Sequence, residues 1–207
     1  MKKIIPQATI DRLPLYFRTL KLAEESGIQI ISSEDLGQRL DIKPEQIRKD
    51  LASFGQFGKK GVGYYVGELN TRIQGILGLD NHWRLAIVGV GHLGAALANY
   101  ANFVALGFEV AALFDTDERI IGSEINGVKV YDFKKIKTMV KVKSVDIGVI
   151  AVPAPSAQIV ADSLVGAGVK GIWNFAPTRL NIPEEIPLVN EDLSIGLSAL
   201  SFHMTQK

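Results

Sequence analysis

Apolar residues recur at helical spacing in the first part of the chain. Between residues 9 and 26 they lie three or four positions apart, which is the spacing of one face of an α-helix. Gly27 follows directly, and a glycine just past the last turn is typical of a helix C-terminus. Pro14 is compatible with this helix if it lies in the first turn. The pattern predicts a first helix that ends at Gly27.

Two shorter helices follow in the sequence. Ser32 and Asp35 have the spacing of a capping box, which predicts a second helix that ends near Leu40. Pro44 suits the first position of a third helix, which Gly55 would close. Because only a brief turn separates the second helix from the third, the segment reads as a helix-turn-helix.

A glycine-rich stretch follows these helices. Glycines flank Lys59 and Lys60 and precede a Tyr-Tyr-Val run, which predicts a β-hairpin with lysines at its tip. A helix-turn-helix followed by a basic hairpin is a winged helix. Residues 68–79 read as a helical connector, and residues 80–82 as the domain boundary.

Beyond Trp83 the pattern changes to alternating strands and helices. Short apolar runs bounded by glycine and proline predict buried strands, and longer segments between them predict helices. This alternation is typical of a doubly wound parallel sheet, with strand order 3-2-1-4-5-6 as the expected arrangement. The predicted strands are residues 85–88, 110–114, 126–132, 145–152, 170–176 and 186–190.

The last segment, residues 191–207, is apolar around most of the circumference of a predicted helix. Such a helix needs burial on more than one side. It could pack against its own domain, or it could insert between two subunits in a domain-swapped dimer. The predicted domains are therefore residues 1–80 for the winged helix, 83–190 for the sheet, and 191–207 for the terminal helix.

Composition excludes several functional classes. The 207 residues are 47% hydrophobic, carry 23 basic and 22 acidic side chains for a net charge of +1, and include no cysteine. A disulfide or thiolate metal site is therefore excluded, and isolated histidines argue against any metal site. No apolar run approaches a membrane span or a signal sequence, so we expect a cytoplasmic protein.

The turn after the first predicted strand of the sheet has the pattern G-x-G-x-x-G. The first glycine permits a tight turn, the second lets the backbone approach a pyrophosphate, and the third lets the helix pack on the strand. The N-terminus of the following helix offers unpaired N–H groups to an anion. Glycines that only permit a turn are the alternative. The residues predicted to bind a cofactor here are Gly89, Val90, Gly91, His92, Leu93 and Gly94.

An acidic residue, Asp115, ends the second strand, 26 positions after Gly89. At that position a carboxylate binds the adenosine ribose hydroxyls and repels a 2′-phosphate, so the expected cofactor is NAD(H) and not NADP(H). Loops after the fourth and fifth strands should line the same crevice, unless their prolines merely end strands. The loop candidates are Val152, Pro153, Asn174, Phe175, Ala176 and Pro177.

Local charge in the predicted winged helix favours a nucleic-acid partner. Five basic and two acidic residues between Lys43 and Lys60 give a local charge of +3 in a chain whose total is +1. Lysines there would meet phosphates, and the third helix would present donors to base edges in the major groove. A solvated helix face is the alternative. The candidate DNA-binding residues from charge and donor chemistry are Lys43, Gln46, Arg48, Lys49, Lys59 and Lys60.

A winged helix joined to an NAD-type Rossmann domain and a C-terminal helix resembles the Rex family of bacterial redox-sensing transcriptional repressors. The resemblance rests on RLPLYFRTL at 12–20, IRKDLASFGQFGKKGVGYYV at 47–66, VGVGHLG at 88–94 and KGIWNFAP at 170–177. It implies a homodimer with swapped C-terminal helices that binds operator DNA and releases it when NADH accumulates. It also implies that NAD+ competes with NADH without causing release. On the matching positions it implies that Arg48, Lys49, Ser53 and the wing around Lys59, Lys60, Gly61 and Gly63 face DNA.

The same resemblance implies a coupling network. Arg18, Tyr100 and Asp192 would join the DNA-binding domain of one subunit to the nicotinamide region of the other. Leu193 stands where an aromatic residue can approach the nicotinamide in relatives. A small NAD-dependent dehydrogenase or a CoA-binding protein is the alternative, but a dehydrogenase needs a proton donor near the nicotinamide, and the three histidines are poorly placed for that role.

Overall fold

The computed structural model describes residues 5–59 and 61–206, which fold into two compact units divided between Asn81 and His82. The first unit contains four helices and a two-stranded sheet in its described part. These elements are α1 (Gln7–Glu25), β1 (Ile30–Ile31), α2 (Ser33–Leu40), α3 (Pro44–Ala52), β2 (Tyr64–Tyr65) and α4 (Val66–Leu77).

Helix α1 begins earlier than its hydrophobic pattern predicts. Since it starts at Gln7, Pro14 lies inside the helix and not in its first turn, so that expectation was wrong. Pro14 is exposed, and the carbonyl that its ring deprives of a donor can bind water. The other end was predicted correctly: Gly27 has φ +77°, and the Ile28 N–H donates to the Ala23 carbonyl at 3.0 Å, as in a Schellman motif.

The helix-turn-helix has the predicted caps. Ser32 and Asp35 form a reciprocal capping box at the start of α2, and Pro44 occupies the first turn of α3. The wing differs from a full hairpin, because Lys59 and Gly63 form a single antiparallel bridge. The next two residues, Tyr64–Tyr65, pair instead with β1, a strand that the sequence pattern did not reveal. Helix α4 follows at once, so Val66 belongs to it and not to the wing.

The second unit is an α/β sandwich around one sheet. Its elements are β3 (Trp83–Val88), α5 (His92–Ala98), α6 (Asn102–Ala105), β4 (Phe108–Asp115), β5 (Glu124–Ile125), β6 (Val128–Asp132), a 3₁₀ turn (Phe133–Lys135), α7 (Ile136–Val142), β7 (Ile147–Ile150), α8 (Ala154–Ala167), β8 (Gly171–Asn174), β9 (Leu188–Asn190) and α9 (Leu193–Thr205).

The sheet confirms the predicted topology. Its strand order is β5-β6-β4-β3-β7-β8-β9, in which the six parallel strands have the order 3-2-1-4-5-6. Strand β5 is an antiparallel addition at one edge, joined to β6 through Asn126 and Gly127. Helices α7 and α8 cover one face of the sheet, and the shorter α5 and α6 cover the other. This order opens a crevice at the carboxyl ends of β3 and β7.

Helix α9 does not pack against its own domain, which was the simpler of the two predictions for it. None of its residues is buried in this chain, and its apolar side chains are 54–69% exposed. Packing against its own domain is therefore wrong for the single chain. Within the described residues, no helix combines the length and apolar character needed to cross a membrane.

Candidate cofactor and DNA-binding sites

The glycine turn connects β3 to α5. Gly89 has φ +90°, and a Cβ atom there would lie 2.6 Å from the Ala151 carbonyl oxygen. A Cβ on Gly94 would collide with the carbonyl oxygen of Gly89, so the third glycine brings α5 against the turn. A Cβ on Gly91 would meet nothing within 4 Å. The first and third glycines are thus required by packing, whereas the second leaves open space in front of the backbone.

The Asp115 carboxylate is joined to this turn. Its Oδ2 accepts a hydrogen bond from the Val90 N–H at 2.7 Å, and its Oδ1 accepts from the N–H groups of Thr116 and Asp117 at 2.7 and 2.9 Å. The acid at the end of β4 therefore fixes the conformation of the turn after β3. This structural role of Asp115 was not evident from its spacing to Gly89 in the sequence.

A cavity of about 480 Å³ lies at the carboxyl ends of the strands. It brings together five of the predicted cofactor residues from three separate loops: Gly89, Gly91, Asp115, Val152 and Pro153. Sequence reasoning missed several further lining residues, namely Thr116, Phe133, Ser156, Ile159 and Val160. Phe133 could have been predicted as a lining residue, because it directly follows the end of a strand. The lining residues on α8 have no sequence feature that separates them from the rest of that helix.

Other predicted cofactor residues do not line this cavity. The Val90 side chain is buried in the core, while His92 is exposed at the start of α5 beside the partly buried Leu93. Asn174 is fully buried, and its amide bonds to the carbonyls of Ala176 and Thr178 and to the side chain of Asn190. It holds its own loop together, which explains why Phe175, Ala176 and Pro177 are absent from the lining.

Asp50 is the main feature of the first unit that sequence reasoning missed. It is one of the two acidic residues in the local charge count between Lys43 and Lys60, and it is only 1% exposed. Its carboxylate accepts hydrogen bonds from Thr9, Arg12 and Tyr16 on α1 and from Gln46 on its own helix, at 2.6–3.0 Å. Since three of these donors lie on α1, the network fixes the orientation of α3 on α1.

The network determines the charge state of its members. Burial opposes ionisation of Asp50, but the hydrogen bonds outweigh it and lower its pKa to about 2. Burial and the neighbouring carboxylate raise the pKa of Tyr16. The carboxylate is therefore ionised and neutralised by Arg12. One donor of Gln46, predicted to face DNA bases, is turned inward to this carboxylate.

The remaining DNA-binding candidates cluster around α3 and the wing. Lys43 and Lys49 are exposed, and the Ser53 hydroxyl caps the end of α3 by donating to the Lys49 carbonyl. Arg48 contacts Ser33 and Glu34 on α2. Lys59, Gly61 and Gly63 line one concavity together with Arg48. Lys60 lies outside the described residues.

The three predicted coupling residues lie on separate elements. Arg18 is exposed on α1, and Tyr100 is 52% exposed in the turn between α5 and α6. Asp192 is the N-cap of α9 and accepts hydrogen bonds from the Ser194 N–H and hydroxyl at 2.8 and 2.6 Å. Those bonds lower the pKa of Asp192. In the part of the chain that the structure describes, no cluster of three or more His, Asp or Glu side chains could hold a metal ion.

Comparison with known proteins accounts for both units. A family model described as a putative DNA-binding protein N-terminus matches residues 4–52, and one described as a CoA binding domain matches residues 80–178. The redox-sensing transcriptional repressor Rex of Syntrophomonas wolfei is 46% identical over 200 residues, which cover 97% of this chain and 95% of that protein. The chain belongs to the Rex family. The Rex of Streptomyces coelicolor is 45% identical over 98% of this chain and 79% of its own length.

Solved structures of RSP, a Rex-family repressor, have the same fold. The crystal structure of RSP in complex with β-NAD+ and operator DNA matches with a TM-score of 0.94 and 39% identity, over 99% of this chain and 94% of that chain. The complex of RSP with β-NADH matches with a TM-score of 0.91 and 38% identity, over 99% and 96%. Because the Rex matches span both units, they favour the predicted redox-sensing repressor over the alternative of a dehydrogenase or CoA-binding protein.

Proposed function

We propose that this Rex protein binds operator DNA through α3 and the wing, binds NAD(H) at the glycine turn, and releases DNA when NADH binds. In this proposal residues 1–80 form the DNA-binding domain, residues 83–190 the cofactor domain, and residues 191–207 a dimerisation helix in a cytoplasmic homodimer. The observation that carries the proposal is the cavity that joins the glycine turn to Asp115.

The residues of this cavity fit a dinucleotide. Gly91 leaves room for a pyrophosphate, since a side chain there would fill space that is open in this chain. Asp115 has three of its roughly four acceptor sites occupied, which leaves one for a ribose hydroxyl. Phe133 and Ile159 offer apolar surface for the adenine ring. A 2′-phosphate would meet the Asp115 carboxylate, which favours NAD(H) over NADP(H).

The cavity is poorly equipped for catalysis. Among its described lining residues, Asp115 is the only one with a titratable side chain, and three of that carboxylate's acceptor sites are used by backbone N–H groups. His82 is exposed and faces Glu109, and His203 lies in α9. A dehydrogenase would need a proton donor or acceptor beside the nicotinamide. We therefore infer that NAD(H) acts here as a signal and not as a hydride carrier.

A gel-shift experiment tests the central proposal. The probe is a palindromic duplex selected from a random pool by the full-length protein, with NADH and NAD+ compared at fixed salt. NADH should release the duplex, and NAD+ should compete with NADH without causing release. Sustained oxidation of NADH with a carbonyl substrate would overturn the regulator proposal, and equal release by both nucleotides would overturn the proposed signal.

The wing can be tested separately. If Lys59 contacts phosphates, Lys59→Ala should weaken binding to all DNA sequences similarly and lower the slope of log affinity against log salt by about one. A loss confined to the selected palindrome would instead place Lys59 at a base edge.

A further inference from the structure

The guanidinium of Arg48 is held from one side. Its Nη1 donates to the Ser33 hydroxyl at 2.6 Å and lies 3.2 Å from Oε1 of Glu34. The other oxygen of Glu34 accepts a hydrogen bond from the same hydroxyl at 3.2 Å. Within the described residues, the Nε and Nη2 of Arg48 have no hydrogen-bond partner. The first turn of α2 thus fixes one nitrogen of Arg48 and leaves the opposite edge available.

The free edge of Arg48 has a geometry suited to recognising a base. Nε and Nη2 present two parallel N–H donors, which match the paired acceptors O6 and N7 of guanine in the major groove. Such a contact can form while Ser33 and Glu34 keep their bonds to Nη1. The side chain of Arg48 is 48% exposed and that of Glu34 is 63% exposed, so both are accessible to a duplex.

Glu34 also carries a negative charge on the surface proposed to meet DNA. It lines the same concavity as Arg48, Lys59 and Gly61. A carboxylate at this position repels phosphates of any sequence, which weakens binding to all DNA. The bond between Glu34 and Arg48 has a second effect. It holds Nε and Nη2 of Arg48 in place before binding, which strengthens binding only where these donors meet a guanine.

We propose that Glu34 is a specificity-determining positioning residue: its charge weakens binding to DNA of any sequence, and its bond to Arg48 offsets this loss only where Arg48 meets a guanine edge. The inference rests on the proposed function, since it requires that α2, α3 and the wing face DNA.

The test compares full-length wild type with Glu34→Gln by fluorescence anisotropy, without cofactor. The probes are the duplex selected by the wild-type protein and a scrambled duplex of equal length, at three salt concentrations. Glu34→Gln should bind the scrambled duplex more tightly, and the ratio of the two affinities should fall by about fivefold, the upper range for an exposed ion pair. Glu45→Gln is the matched control, because it removes an equal charge from the exposed first turn of α3.

A double-mutant cycle then tests whether Glu34 acts through Arg48. In an Arg48→Ala background, Glu34→Gln should no longer change the ratio of affinities. An unchanged ratio in Glu34→Gln, an equal fall in Glu45→Gln, or an effect that persists without Arg48 would each overturn the inference. If the wild-type protein selects no sequence from the pool, the proposed function itself fails, and this inference fails with it.

Discussion

The Asp115 carboxylate accepts a hydrogen bond from the Val90 N–H at 2.7 Å, which ties the end of β4 to the glycine turn after β3. Two consequences follow. The Val90 N–H is already used, so an anion at the turn must bind to N–H groups further along. The acid also orders the turn, because loss of its side chain would leave three backbone donors without their acceptor.

Asp115→Ala should therefore weaken NADH binding by about 1.5–3 kcal/mol, the usual contribution of hydrogen bonds to a charged group. NADPH should gain relative to NADH, since the repulsion of a 2′-phosphate is removed. Isothermal titration calorimetry with both nucleotides measures these changes. Asp117→Ala is the control, because Asp117 is two positions away and pairs with Arg119 outside the cavity lining. Unchanged NADH affinity in Asp115→Ala would remove Asp115 from the cofactor site.

Substitution by alanine should affect different properties at Gly91 and Gly94: cofactor binding at Gly91 and stability at Gly94. Gly91→Ala should leave the thermal unfolding transition unchanged, because its Cβ meets nothing within 4 Å, yet weaken NADH binding by about 1–3 kcal/mol through overlap with the ligand. Gly94→Ala should lower the free energy of unfolding by about 3 kcal/mol, because its Cβ collides with the Gly89 carbonyl. Normal NADH affinity in a folded Gly91→Ala protein would mean that the pyrophosphate lies elsewhere.

The Asp50 network should make the first unit sensitive to acid. The pKa of Asp50 is lowered from 3.8 to about 2, so its stabilisation is complete above pH 4 and is lost as the pH falls through 4 toward 2. The shift corresponds to about 2 kcal/mol. Asp50→Asn should destabilise the protein by about 3 kcal/mol at pH 7, because Arg12 loses its buried partner.

Urea denaturation followed by circular dichroism at pH 7, 4 and 3 measures both effects. Asp11→Asn serves as the control, since Asp11 lies on α1 and pairs only with Gln7 at an exposed position among the described residues. If wild type and Asp50→Asn lose stability equally between pH 4 and pH 3, the carboxylate does not carry the acid sensitivity.

The order of strands and helices was predictable because it depends on local sequence patterns. Apolar runs, the capping box at Ser32 and the glycine at position 27 each act over a few residues, and the sheet order follows from alternation. The two-residue strand β1 was missed because its partner strand, Tyr64–Tyr65, lies more than 30 residues later, and pairing at that distance leaves no local periodicity. The start of α1 was missed because Pro14 is tolerated on its exposed side.

The site was predictable only where a motif fixes its geometry. The glycine turn, Asp115 and Val152-Pro153 converge because strand order places the carboxyl ends of β3, β4 and β7 side by side. Asn174 lies outside the cavity lining, because its buried amide bonds within its own loop, and the sequence does not distinguish such an amide from one that meets a ligand. The network around Asp50 was not predictable, because its partners Arg12 and Tyr16 are more than 30 positions away in the sequence.

Truncation after Asn190 should dissociate the proposed dimer. Helix α9 exposes Leu193, Leu197, Leu200 and Met204 along one face in the single chain, and a contiguous apolar surface of this kind marks an interface with another surface. Sedimentation velocity at micromolar concentration should show a monomer for the truncated protein, and operator binding should be lost. Leu197→Ser combined with Leu200→Ser should have the same effect with the helix retained. A truncated protein that remains dimeric would place the interface elsewhere.

Asp192 is predicted to couple the two binding sites by its charge. In this chain it caps α9 through Ser194, and the capping role must be separated from the proposed contact with Arg18 and Tyr100. Asparagine caps helices as well as aspartate does but carries no charge. We expect Asp192→Asn to keep α9 and the dimer intact and to retain NADH affinity within about threefold, as surface substitutions usually do.

If the charge carries the coupling, Asp192→Asn should nevertheless fail to release DNA at saturating NADH. Wild type should lose about 5- to 150-fold in operator affinity when NADH binds, and linkage requires an equal loss of NADH affinity when operator binds. The test of this coupling is operator affinity with and without NADH, measured in Asp192→Asn, Asp192→Ala, Arg18→Ala and Tyr100→Phe. Release that is lost in Asp192→Ala but normal in Asp192→Asn would assign Asp192 to capping alone, because the cap is the only role that asparagine preserves. Full release in all four variants would mean that NADH discriminates the DNA-bound and free dimers through other residues.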